Sequence, residues 1–171
     1  MIEEKKHSYR VRVNTCDISF TDDHYGPRSF SMQAGHDDFI VRRADGVFAY
    51  QLAVSYDDAV MGVTRVVRAN DLLDSTPKQI WLFEQMGYEP PTYCHAPLLA
   101  VEGGRKMSKR NGDLCMKELR KTHTPAELCG KLAYLAGLLP APISVTPKEL
   151  ISEFSWNKVP TENILLPNDL F

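Results

Sequence analysis

The chain has 171 residues, 43% of them hydrophobic and 25% charged, with a net charge of −2, which is about one ordinary globular domain. Near-neutral charge argues against a protein that coats nucleic acid non-specifically. No apolar run approaches the roughly 20 residues that span a bilayer, and the N-terminus has no apolar signal core, so a membrane protein is not expected.

Four cysteines (Cys16, Cys94, Cys115 and Cys129) lie far apart without C-x-x-C pairing. Neither a zinc site nor a disulfide framework is indicated, and reduced thiols in a cytoplasmic protein are the expectation.

In chain order, Tyr9–Val13 and Asp17–Phe20 alternate as the two arms of a β-hairpin would. Phe39–Arg43 is a short strand ending at the turn Asp45-Gly46. Residues 47–56 suit helix or strand, with helix preferred. Gly62–Arg68 is β-branched, and Tyr93–Leu99 is a second strand beyond an intervening helix. That strand–helix–strand spacing suggests a parallel βαβ unit.

One helix-start pattern occurs three times, at Thr76-Pro77-Lys78-Gln79, Thr124-Pro125-Ala126-Glu127 and Thr146-Pro147-Lys148-Glu149. Each places Thr at the N-cap, Pro at the first helical position and Gln or Glu two residues later. The hydroxyl and the acidic or amide side chain can satisfy backbone N–H groups reciprocally, and Pro loses nothing there. Helices are therefore predicted to begin near 77, 125 and 147, the first stopping at Gly87 and the second near Gly137. The tail after Lys158 has no clear period and reads as irregular.

Charge is not evenly spread. Between Arg105 and Lys121 seven basic residues face only Asp113 and Glu118. Within that run, Gly103-Gly104-Arg105-Lys106-Met107-Ser108-Lys109-Arg110-Asn111-Gly112 is a glycine-flanked loop with two lysines three apart. Glycines let backbone approach a ligand closely, and flexible ammonium groups suit phosphates as point charges. Lysines aimed at a departing pyrophosphate stabilise the transition state more than the ground state. As a bare surface feature the same run is a basic turn.

The tetrapeptide Lys106-Met107-Ser108-Lys109 after a strand resembles the second signature of class I aminoacyl-tRNA synthetases. The run from Asp38 to Val54, then Asp57-Asp58, Gly62–Arg68 and Asp71–Pro77, resembles the glutamyl-queuosine tRNA(Asp) synthetases nearly residue for residue, and glutamyl-tRNA synthetases more loosely. The similarity extends from about Tyr9 to about Pro160.

The resemblance implies an α/β fold, the C-terminal half of a Rossmann-like catalytic domain with a short β-hairpin region before it and a helical appendage after it. It implies residues 1–35 as a remnant of an acceptor-binding insertion, 36–112 as the second catalytic half, and 113–171 as the appendage. It further implies that Tyr50 and Arg68 contact glutamate, that Lys106, Ser108 and Lys109 hold ATP, and that Lys106 and Lys109 are catalytic, with Mg²⁺ as counter-ion and no zinc or other resident metal. A guanidinium fork suits a side-chain carboxylate and disfavours neutral glutamine. The expected partners are glutamate, ATP and tRNA(Asp) or tRNA(Glu).

The sequence departs from the family in three respects. No H-x-G-H motif occurs among His7, His24, His36, His95 and His123; no cysteine-rich zinc knuckle is present; and Ala69 stands where a glycine is expected after the arginine, followed by an unusual Asn70. Without the first half of the ATP site, adenylate formation is expected to need help in trans. The sheet is expected to keep the fourth and fifth strands of a 3-2-1-4-5 order. Its apolar edge around Val63, Val66 and Val67 is expected to be covered by a second copy or a separate N-terminal half. The competing expectation is a non-catalytic truncated paralogue that binds glutamate or tRNA as a regulatory module.

Overall fold

A computed structural model describes residues 7–101, 105, 107, 115–167 and 170–171. The chain divides into two compact units, Met1–His95 and Ala96–Phe171.

In the first unit the chain forms β1 (Tyr9–Val11), β2 (Cys16–Asp22), β3 (Gly26–Met32), β4 (Phe39–Arg42), α1 (Tyr50–Met61), β5 (Arg65–Ala69), a 3₁₀ turn (Asn70–Ser75), α2 (Thr76–Gln85) and β6 (Thr92–Ala96). Four strands form one mixed sheet in the order β3-β2-β6-β5, while β1 and β4 pair antiparallel by themselves. The expected hairpin between Tyr9–Val13 and Asp17–Phe20 is thus replaced. The second arm turns back at Asp22–Gly26 to pair with β3 over seven residue pairs, and the first arm instead meets β4.

The reason is local. Gly26 has φ 75°, and the Asp22 carboxylate accepts from the backbone N–H of His24 and Tyr25. An aspartate that caps its own turn and a left-handed glycine close a tight reversal.

Along β2 the residues Cys16, Ile18, Phe20 and Asp22 share one face, with Ile18 and Asp22 buried. Ile18 joins Val13, Met32, Phe39, Ile80, Trp81, Leu82 and Tyr93 in the core, each large side chain contributing about 1.5–3 kcal/mol on burial. Three consecutive residues of α2, Ile80, Trp81 and Leu82, belong to that core, so this helix is buried on more than one side. It ends where expected, with Gly87 at φ 76° and Tyr88 N–H bonded back to the Phe83 carbonyl at 2.9 Å. That is a left-handed cap closing the last turn. Residues 47–56 resolve as helix from Tyr50 onward, with Gly62 (φ 69°) as its left-handed cap.

In the second unit a two-residue strand, β7 (Leu99–Ala100), pairs in parallel with β8 (Ile164–Leu165). The tail expected to be irregular therefore contributes a strand, too short for any period to show. The helices α3 (Met116–Leu119), α4 (Pro125–Leu135) and α5 (Pro147–Leu150) complete the unit. Both capping boxes predicted here are formed. Glu127 N–H donates to Thr124 and Glu149 N–H to Thr146, each at 3.3 Å, with the glutamates returning to the cap N–H groups at 2.7 and 2.8 Å.

Helix α4 buries Leu128, Gly130 and Ala133. Gly130 is required by contact, since a Cβ there would lie 1.7 Å from the Ile143 carbonyl oxygen. Gly130→Ala is expected to destabilise the protein by about 1–3 kcal/mol or more through overpacking. Thr146→Ala, which removes only a cap, should cost about 1 kcal/mol. Urea unfolding followed by circular dichroism measures both, and a Gly130→Ala midpoint no lower than that of Thr146→Ala would contradict the packing.

Candidate functional site

The third helix start behaves differently from the other two, and the site is built around that difference. Helix α2 has Ser75 at its N-cap and no side-chain cap bond. The predicted capping box between Thr76 and Gln79 does not form. Both side chains turn to Arg68, whose Nη2 donates to Thr76 Oγ1 at 2.8 Å and whose Nη1 donates to Gln79 Oε1 at 2.6 Å. Hydrogen bonds to a charged group contribute about 1.5–3 kcal/mol each, against about 1 kcal/mol for a cap, so the guanidinium wins the competition for these side chains.

Two further acceptors complete its environment. Nη2 also donates to the Leu72 carbonyl at 3.2 Å, and Nε donates to His95 Nε2 at 3.0 Å. Of the five N–H groups on an arginine, four are therefore bonded, all to uncharged acceptors. The fifth, on Nη1, has no acceptor among the described residues. Nor has Arg68 a carboxylate within ion-pair distance among them. Its carbon Cζ stands 5.1 Å from the centre of the Tyr93 ring, a cation–π contact. Burial draws its pKa below the ordinary guanidinium value, against the opposing influence of Tyr93, Tyr50, Asp58 and Asp22. Burial likewise pushes the Tyr93 phenol up to about 12, so that ring remains a neutral platform.

His95 is held from both sides. Its Nδ1 lies 2.6 Å from Asp22 Oδ2, and both side chains are completely buried. Asp22 Oδ1 takes three backbone N–H groups, those of His24, Tyr25 and His95, at 3.0, 2.9 and 3.2 Å. Burial acts to raise the Asp22 pKa, but the His95 bond and these amides outweigh it and keep the carboxyl below its usual range. For His95, burial is the largest influence and lowers its pKa; Asp22 opposes this and Arg68 reinforces it. A guanidinium N–H can only donate, so the Nε2 facing it has to be unprotonated. His95 is neutral, with its proton on Nδ1 directed at Asp22.

A second layer fixes Gln79, which donates to Gln51 Oε1 at 2.8 Å while Gln51 donates to Ser75 Oγ at 3.0 Å. Across the sheet, Asn70 donates to the Tyr25 hydroxyl at 2.8 Å. Asn70, where the sequence departs from its expected pattern, thus ties the 3₁₀ turn to the β2–β3 reversal.

Of the residues singled out from sequence, Arg68 stands on β5 as anticipated, and Tyr50 opens α1 with 52% of its surface exposed. Lys106, Ser108 and Lys109 lie outside the described residues. The expected two-pronged approach of Arg68 to a carboxylate is altered, because only one N–H is left over and the rest already have acceptors.

Sequence reasoning missed Asp22, His95, Thr76 and Gln79. A signal for the first was present: Asp22 continues the apolar alternation Cys16, Ile18, Phe20, and a carboxylate on a core-facing row needs a partner.

The catalytic-domain model of the class I tRNA synthetases for glutamate and glutamine (E and Q) matches residues 1–165. A glutamyl-Q tRNA(Asp) synthetase of Symbiobacterium thermophilum is 45% identical over 164 residues, covering 95% of this chain and 50% of the relative. One from Nitratidesulfovibrio vulgaris is 40% identical over 169 residues, covering 98% and 52%. The chain spans about half the length of the curated relatives it matches. In fold it is similar to a glutamate tRNA ligase from Elizabethkingia meningosepticum solved with its amino acid, with a TM-score of 0.72, 23% identity and coverage of 91% of this chain and 35% of that one. A glutamate-tRNA synthetase from Elizabethkingia anophelis gives a TM-score of 0.73 at 23% identity, with 93% and 36% covered.

The buried neutral imidazole has a thermodynamic consequence. The folded pKa of His95 lies below 6.5, so between that value and about 6.5 the unfolded chain binds more protons and stability rises with pH. Its contribution is therefore lost as pH falls through about 6.5 towards the folded value. Asp22, also shifted down, adds a loss at lower pH, below its ordinary 3.8. Melting temperatures by circular dichroism at pH 7.5, 6.0 and 5.0 should fall steadily. In His95→Gln, which cannot titrate, the decline between pH 7 and 5 should be shallower; equal declines in both proteins would contradict a buried neutral histidine.

Proposed function

We propose a function from one premise: the chain belongs to the class I tRNA synthetases for glutamate and glutamine, as the match of their catalytic-domain model to residues 1–165 shows. Within that family the chain is read as glutamate-activating, forming glutamyl adenylate from ATP and passing the glutamyl group to tRNA or to the queuosine of tRNA(Asp). Residues 1–35 are a remnant of the acceptor-binding insertion, 36–112 the second half of the catalytic domain, and 113–171 a stem-contact-like appendage.

One observation carries the amino-acid specificity. Arg68 is a half-buried guanidinium whose acceptors are all uncharged, with one N–H of Nη1 unclaimed among the described residues. A cation drawn out of water without a contact counter-ion favours an anionic ligand, because the ligand recovers Coulomb energy that no protein carboxylate supplies. The hydroxyl of Tyr50, a residue 52% exposed at the start of α1, is assigned as a second donor. A neutral carboxamide offers hydrogen bonds but no charge, so glutamate is preferred to glutamine.

Lys106 and Lys109 act on the phosphates, with Ser108 as a further donor and Mg²⁺ as the counter-ion of the nucleotide. Their work is to stabilise charge developing on pyrophosphate, at about 3–4 kcal/mol for each well-placed donor. The half of the ATP site that an H-x-G-H motif would form has to come from residues other than these 171, such as a separate N-terminal half. A second copy, which lacks the motif too, could only cover the sheet edge. An edge for a partner to cover is supported by β5 being the last strand of its sheet among the described residues, with Val67 60% exposed, although Val63 is partly buried and Val66 packs against the core.

Glutamate-dependent exchange of pyrophosphate into ATP tests the proposal, with the chain alone and with an H-x-G-H-containing half of a relative added. Exchange is expected only with the added half, and Lys106→Ala and Lys109→Ala should each reduce it about 10²–10³-fold. Arg68→Gln should abolish the preference for glutamate over glutamine. Glutamate binding without exchange under any combination would instead identify a regulatory module.

A further inference from the structure

Three side chains form a line from the β2–β3 reversal to the proposed amino-acid site: the Asp22 carboxylate, the His95 imidazole and the Arg68 guanidinium, with contacts of 2.6 and 3.0 Å. The direction of every proton along it is forced. Arg68 Nε–H donates to His95 Nε2, and His95 Nδ1–H donates to Asp22 Oδ2. Asp22 is locked in turn by three backbone amides on its other oxygen. His95 is also held by its carbonyl, which lies 2.9 Å from His24 Nδ1, and by the Tyr93 ring stacked at 6.2 Å. Of the three, only Arg68 is not fully buried; Asp22 and His95 have no access to substrate.

An arginine contacting a carboxylate directly would be well held but electrostatically satisfied. Interposing a neutral imidazole transmits the hydrogen bond without bringing the counter-charge into contact. The guanidinium is oriented by its Nε edge while its charge remains available. Asparagine or glutamine at Asp22 would remove the reason for His95 to carry its proton on Nδ1, and the other tautomer would set N–H against N–H at Arg68.

We propose that Asp22 and His95 are positioning residues for Arg68, and that their hydrogen-bond relay sets how strongly the site discriminates a side-chain carboxylate from a carboxamide. The role in discrimination rests on the glutamate reading above; the relay itself does not.

Two measurements on the 171-residue chain test it. Nitrogen-15 NMR of the ligand-free protein reads the relay. At pH 7, His95 should be neutral with its proton on Nδ1, and the Arg68 Nε–H should exchange slowly with solvent and lose that protection in Asp22→Asn. A protonated ring, a proton on Nε2, or an Arg68 Nε–H exchanging as fast as those of exposed arginines overturns the relay.

Calorimetric titration with glutamate and with glutamine reads the discrimination. His95→Asn can still face Asp22 but is too short to reach Arg68, and it should lower the glutamate-to-glutamine affinity ratio roughly 10- to 100-fold. His95→Gln places an acceptor oxygen where Nε2 lies and should stay within about threefold of the unmodified chain. Equal losses in both variants would mark a merely structural contribution and overturn the positioning role. An unchanged ratio in His95→Asn, with the ratio abolished in Arg68→Gln, would overturn this inference and leave the glutamate reading intact. No preference for glutamate in the unmodified chain would sink that reading and the discrimination role together, whatever the NMR result.

Discussion

The constraint on which the first unit depends is the half-burial of one guanidinium. A planar cation with five N–H groups, drawn partly out of water, has to find acceptors in fixed directions. Arg68 finds four of them on three separate pieces of chain: the carbonyl of Leu72 in the 3₁₀ turn, Thr76 and Gln79 on α2, and His95 on β6. Each bond ties β5 to another element, and the His95 bond extends through Asp22 to the β2–β3 hairpin. The sheet order β3-β2-β6-β5 is thus crossed by one polar chain running from the hairpin turn through β6 to the edge strand. The apolar core under α2 supplies most of the burial, but the polar chain selects the register at which those elements meet.

The same constraint explains which parts of the fold were legible in the sequence. The helix starts at Thr124 and Thr146 depend on four consecutive residues and form as their pattern demands. Thr76-Pro77-Lys78-Gln79 has the same local grammar, yet its helix starts one residue earlier in the pattern, at Thr76 itself, and its two polar side chains are claimed by Arg68, eight and eleven positions before them. Local patterns predict element boundaries because those depend on near neighbours. They do not predict side-chain allegiance when a buried charge is within reach. Arg68 and Tyr50 could be found through resemblance. Asp22 and His95 lie in no motif and 73 residues apart in sequence; only the place of Asp22 on a core-facing row signals that it needs a partner.

The strand assignments fail and succeed on similar grounds. Gly62–Arg68 and Tyr93–Leu99 read as strands from composition, and strands form within or beside them at Arg65–Ala69 and Thr92–Ala96. In Gly26–Met32 the outward row is Pro27, Ser29 and Ser31, but Gly26 and Arg28 leave only Phe30 and Met32 apolar on the inward row, and its pairing with β2 rests on the reversal closed by Asp22 and Gly26. A strand of two residues such as Ile164–Leu165 carries no period at all; only its partner Leu99–Ala100 defines it.

The proposed selectivity and the stability of the site rest on the same neutral imidazole. Had a carboxylate replaced His95 as the partner of Arg68, the direct ion pair would satisfy the guanidinium in the ligand-free protein, and an incoming carboxylate would have to compete with it. A neutral side chain unable to accept at that point would leave the Nε–H unbonded, at about 1–3 kcal/mol or more for a charged donor. The imidazole avoids both outcomes, but only while it is neutral, which is why Asp22 and its three amides are needed behind it. The protein thereby accepts an acid-sensitive buried pair and an uncapped helix in exchange for a cation that is held in place and still unneutralised. Departures from local rules of this kind are expected where function, rather than folding, sets the requirement.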